Sequence, residues 1–108
     1  MPYNADLTRV KQILEITDAL ADTELTADQA AAYAEVNSIL KFHGFTVPLA
    51  AAPDDVKEAE AHIAASKFRG RRHSATARDE ADKFYLEGQR ALMRYVEAEK
   101  YQPYLGRV

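Results

Sequence analysis

Apolar positions along this chain recur with helical spacing, in three or four runs parted by short irregular stretches. In residues 6–16, Leu7, Val10, Ile13 and Leu14 share one face, and Arg9, Lys11, Gln12 and Glu15 the other. Asp6 or Asn4 is placed to cap that helix. Residues 17–25 read as a connector with room for a further helical turn, from which Leu20 and Leu25 reach back to the core. Thr26-Ala27-Asp28-Gln29 has the form of a capping box and predicts a helix start. That helix runs to about His43 and buries Ala32, Val36, Ile39 and Leu40, with Tyr33 at its flank. Gly44 then supplies a left-handed C-terminal residue, and Phe45 stands where it can pack back on Leu40.

Residues 45–52 carry no helical pattern. Thr46-Val47 precedes Pro48, and a residue before proline avoids helical angles. Phe45, Val47 and Leu49 alternate, but without a second strand the expectation is an apolar loop laid over the helices. Pro53 suits the first helical position, and Asp54 and Asp55 favour the first turn. Val56, Ala59, Ile63 and Ala64 then form a stripe that ends near Phe68, with Gly70 as the stop. Thr76 or Ser74 caps a last and longest helix, predicted to run to about Tyr101. Ala81, Phe84, Tyr85, Gly88, Leu92, Tyr95 and Val96 line its apolar side, where Gly88 lets another backbone come close. Pro103 is expected to end it, leaving 102–108 as a flexible tail. The fold class is therefore all-α: one domain over 1–108, a small bundle of three to four helices with a long C-terminal helix and an irregular apolar central loop.

Composition narrows the chemistry. With no cysteine, disulfides, thiolate metal sites and a Cys nucleophile are excluded. A net charge of −3 argues against a general nucleic-acid coat. The first residues lack a basic stretch followed by an apolar run, so no signal peptide is expected. No apolar run is long enough to span a bilayer, and a soluble protein made in the cytoplasm is expected.

Lys67, Arg69, Arg71, Arg72 and Arg78, with His73 among them, form the one dense charge cluster. Three readings fit it: phosphate contact, docking on an acidic protein surface, or a solvated helix end that favours cations. His43, His62 and His73 have no second ligand at metal spacing, although Glu58 lies four residues before His62. Asp54, Asp55, Glu58 and Glu60 are accounted for by helix dipole and solubility. There is no phosphate-binding glycine loop and no nucleophile elbow, so no enzyme, cofactor or metal is expected. Tyr101, Tyr104 and Leu105 form an aromatic C-terminal patch, fit for the protein's own core or for a neighbour.

The order of these features resembles the head–tail connector proteins (adaptor or head-completion proteins) of tailed viruses. The shared elements are a short N-terminal helix opening on Asp6-Leu7 and a second helix closing on His43-Gly44-Phe45. Val47-Pro48-Leu49 then precedes Pro53-x-x-Val56-Lys57-x-Ala59, an alanine-rich helix and a long final helix containing Leu92 and Tyr95. The resemblance implies a virion protein, made in the host cytoplasm and placed at the head–tail interface. It would form a ring, typically twelvefold, that extends the DNA channel and joins the portal to a tail or stopper protein, with no membrane partner. It also implies contacts by three segments: Phe45, Val47 and Leu49; Arg69, Arg71, Arg72 and His73; and Tyr101, Tyr104 and Leu105. The alternative is a small nucleic-acid-binding or regulatory domain using residues 67–78, with Lys67, Arg69, Arg71, Arg72 and Arg78 as its contacts.

Overall fold

The computed structural model describes residues 4–72 and 74–105, with side chains through residue 100. Among them are four helices and no strand: α1 (Leu7–Leu14), α2 (Asp22–Phe42), α3 (Asp54–Gly70) and α4 (Ala75–Leu105). The centre is α3, which packs against all three others and most extensively against α4. Its alanines explain this. Ala59, Ala61, Ala64 and Ala65 are buried together with Val56, Ile63 and Phe68, so small side chains let neighbours approach α3 from several directions. Gly88 of α4 lies close against α3. A Cβ there would stand 2.8 Å from Ile63 Cγ1 and 3.0 Å from the Ala59 carbonyl oxygen.

The predicted stripes are the buried ones. Val10 and Leu14 of α1, Ala32, Val36 and Leu40 of α2, and Ala81, Leu92 and Val96 of α4 are all buried. Leu7, Ile13, Ile39, Phe84, Tyr85 and Tyr95 pack at the edge of the same core. The α2 C-terminus closes as expected, with Gly44 at φ +89°. The Phe45 N–H donates to the Leu40 carbonyl at 3.0 Å, and the Gly44 N–H to that of Lys41 at 3.0 Å. At α4, Ser74 is the cap, its Oγ accepting the Ala77 N–H at 3.0 Å.

Several local expectations fail, each for a physical reason. Thr26 does not open α2, which starts one turn earlier at Asp22. The Thr26 hydroxyl donates to the Asp22 carbonyl at 2.8 Å inside the helix, and the extra turn brings Leu25 into the core. Leu20 does not reach back; it is 94 % exposed. Asp6 holds the N-cap position of α1 but makes no capping bond through its side chain. Pro53 is the N-cap residue of α3, not its first helical residue. Pro103 does not end α4, which continues to Leu105. A proline in the last turn removes one intrahelical donor while its fixed φ stays helical. The tail predicted over 102–108 is thus helical through 105, and its last residues, 106–108, lie outside the described ones.

Candidate partner-contact surfaces

The basic segment follows the end of α3, so its side chains fan out over α1, α2 and the start of α4. There they meet acids of the same chain. Lys67 Nζ lies 2.9 Å from Glu35 Oε1 of α2, and Tyr85 of α4 donates its hydroxyl to Glu35 Oε2 at 2.7 Å. Burial pushes the Glu35 carboxyl up, but those two donors overcome it and hold it below its ordinary value. Arg71 reaches both oxygens of Asp28 (2.6 Å to Oδ2) and Glu24 Oε2 (3.1 Å from Nε). These bonds raise the Arg71 pKa still further and lower that of Glu24. Arg72 sits 3.6 Å from Glu24, with its guanidinium 4.2 Å from the Phe68 ring centroid.

Arg69 turns inward, and its Nη2 donates to the Leu14 carbonyl at 3.2 Å. Its Nε is 3.9 Å from Glu80, too long for a hydrogen bond, and has no hydrogen-bond partner among the described residues. Within the described part of the segment, Arg78 has no ion pair. His73 lies outside the described residues. Lys67, Arg71 and Arg72 thus stand against carboxylates of the same chain, which would compete with phosphate for them.

The 45–52 loop is irregular, with a cis Val47–Pro48 bond. Phe45, Val47 and Leu49 are half-buried against the protein's own core, while Thr46, Pro48 and Ala50 face outward. Phe45 lies 5.2 Å from the Tyr95 ring, centroid to centroid, with Lys100 Nζ 4.9 Å from its own centroid. The loop's apolar residues are therefore largely satisfied inside the chain. The large apolar side chains exposed among the described residues lie elsewhere: Leu20 before α2, Phe42 at its end, and Leu86 and Met93 on α4. Phe42 is 86 % exposed. Beyond Val96, α4 runs on with residues 97–100 exposed, and the side chains of Tyr101, Tyr104 and Leu105 lie outside the described set.

Among the described residues no group of three or more His, Asp or Glu could hold an ion. His62 Nδ1 is 2.9 Å from the Glu58 carbonyl, while the Glu58 carboxylate binds Arg9 with two contacts of 2.8 Å. An open cleft of about 410 Å³ lies beside this pair, lined by Asn4, Asp6, Lys57 and Asp54 among others. No helix among the described residues is long and apolar enough to cross a membrane.

One polar site escaped the sequence reading altogether. Glu60, expected on the surface, is fully buried. Its Oε2 accepts the Ala5 N–H at 2.8 Å and its Oε1 the Asn4 side-chain amide at 3.0 Å. Gln29 Nε2, from the supposed capping box, donates to the Ala5 carbonyl. The available signal was positional: Glu60 falls between the buried Ala59 and Ala61 in an alanine-rich helix. Comparison of the chain with protein families, with curated proteins and with solved structures finds no match.

Proposed function

We propose that this chain is a structural assembly protein of the head–tail adaptor kind. In this reading it closes into a ring of about a dozen copies beneath a portal, extends the DNA channel and receives a tail or stopper protein. The observation that carries the reading is the overrun of α4. That helix has 31 residues, about 46 Å by helical rise, and beyond Val96, the last buried residue among the described side chains, residues 97–100 are exposed. A helical stretch exposed in the single chain is suited to packing on a neighbour. Leu20 and Phe42 add support, because they flank opposite ends of a 21-residue helix, about 32 Å apart by the same rise. Head-to-tail rings need two different surfaces of this kind.

Neutralisation of the basic segment weighs against the nucleic-acid alternative. The test is native mass across a concentration series. A closed oligomer of about a dozen copies is expected. A monomer at every concentration, alone and with a portal ring added, overturns the proposal. Salt-sensitive DNA binding lost on Arg71→Ala with Arg72→Ala would move the assignment to the alternative.

A further inference from the structure

Glu60 stands in the middle of α3, and what it holds is the chain entering α1. The Ala5 N–H and Asn4 amide bond its carboxylate, and Gln29 of α2 grips the Ala5 carbonyl from the other side. Two residues away on α3, Glu58 takes the Arg9 guanidinium in a fork. Lys11 pairs with Asp22 at 2.8 Å, and Arg69 bonds the Leu14 carbonyl at the far end of α1. With only eight residues, α1 cannot persist as a helix by itself, and it buries just two side chains completely or nearly so, Val10 and Leu14. Its attachment therefore rests heavily on polar fasteners, whereas α3 and α4 share the larger apolar interface.

We propose that residues 4–14 form a strap that opens as a unit from the body made by α2, α3 and α4, with buried Glu60 as the fastener that sets its closure. Opening hydrates Glu60 and frees the face of α3 and α2 that α1 covers.

The strap responds to pH with a definite sign. Burial pushes the Glu60 carboxyl above its ordinary value, against the pull of the Ala5 N–H and the Asn4 amide. The open form restores ordinary hydration, so the closed form binds the Glu60 proton more tightly. That contribution is present below the ordinary carboxylate value, about 4.3, and is lost as pH rises through the closed-state value. Glu58 has the opposite sign. Its bond to Arg9 holds it below its ordinary value, so its contribution is lost only as pH falls through that lowered value. The two windows are separate, and the strap closes most tightly near the ordinary carboxylate pKa. The groups facing Glu60 are Asn4 and Ala5 of the lead-in, with Gln29 of α2 behind them. Of the charged groups on the neighbouring elements, Arg9 pairs with Glu58, Asp28 with Arg71, and Glu35 with Lys67 and Tyr85, while Asp6 of the lead-in lines the open cleft with Asp54 and Lys57. His62 is bonded to the Glu58 carbonyl, its ring 6.5 Å from that of Phe84 on α4.

The test is amide hydrogen exchange on the full chain from about pH 5 to about pH 8, corrected for intrinsic rates, a range in which Glu58 stays ionised. Amides of α1 are expected to exchange at least about tenfold faster than those of α3, with protection of α1 alone falling as pH rises. In Glu60→Gln that pH dependence disappears while α3 keeps its protection. Should Glu60→Gln fail to fold, Asn4→Ala removes one donor and keeps the backbone bond; it should lower α1 protection several-fold and leave α3 unchanged. Equal protection of α1 and α3 would overturn the strap. A wild-type pH dependence surviving in Glu60→Gln, or unaltered α1 protection in Asn4→Ala, would overturn the role of Glu60.

Discussion

At Glu60 a buried carboxylate meets two uncharged donors, whereas at Arg71 a half-exposed guanidinium meets two carboxylates. Both clusters fasten an outer element to α3. The first is dry at Glu60 and the Ala5 N–H, where an unmade bond costs its full desolvation, although Asn4 lines an open cleft. The second faces water on the Arg71 and Glu24 side, with side-chain exposures of 44 % and 38 %, and salt screens it there. Asp28 is the exception, at 6 % exposure. What the pair teaches is that charge count is a poor guide to strength here. Burial decides how much a lost partner matters.

Removing Glu60 should therefore have the largest effect. Glu60→Ala leaves the Ala5 N–H and the Asn4 amide unpaired beside a new cavity. A loss of about 3 kcal/mol in urea unfolding is expected, concentrated in α1. An apolar reference sharpens the scale. Gly88→Ala drives a methyl against Ile63 and the Ala59 carbonyl, and should cost about 2 kcal/mol by loosening α3 from α4.

Arg71→Ala is expected to cost less, about 1 kcal/mol after allowance for exposure, mostly from stranding Asp28. Its cost should shrink in high salt, while that of Glu60→Ala should not. Equal salt responses in the two variants would dissolve the contrast. Acid should sharpen it further. Glu24, Glu35 and Glu58 all lie below their ordinary values, so stability falls as pH drops through that lowered range, and Arg71→Ala should lose less of it than wild type. The smallest effect is a gain. Glu15 closes α1 with φ 59°, a conformation that favours glycine, so Glu15→Gly should stabilise the chain by about 0.5 kcal/mol. It should also raise α1 protection, tightening the strap independently of Glu60.

Local chemistry was legible wherever the cause was local. The Gly44 closure of α2 and the stripes of all four helices each follow from neighbours a few residues apart, the cap of α4 was narrowed to Thr76 or Ser74, and Gly88 was placed on the apolar side without its partners Ala59 and Ile63. The basic segment was legible as a cluster, but not as a neutralised one. Its acids sit far away in the chain, Glu24 and Asp28 more than 40 residues from Arg71. The 45–52 segment was legible as an apolar loop laid over the helices, and Phe45, Val47 and Leu49 do pack against the core. The exposure of Phe42 and Leu20 was not legible, because apolar character gives no hint of it.

Sequence alone determined an all-helical chain, the helix order and the faces that would be apolar, because periodicity and capping act within a turn or two. Only the tertiary structure decided that α3 lies at the centre, that Glu60 is its buried fastener, and which charges cancel. Those outcomes depend on which helices meet, and the Glu60 bond joins residues 55 positions apart. Along the chain, a buried glutamate and a solvated one look alike; desolvation separates them only once neighbouring helices have closed around one of them.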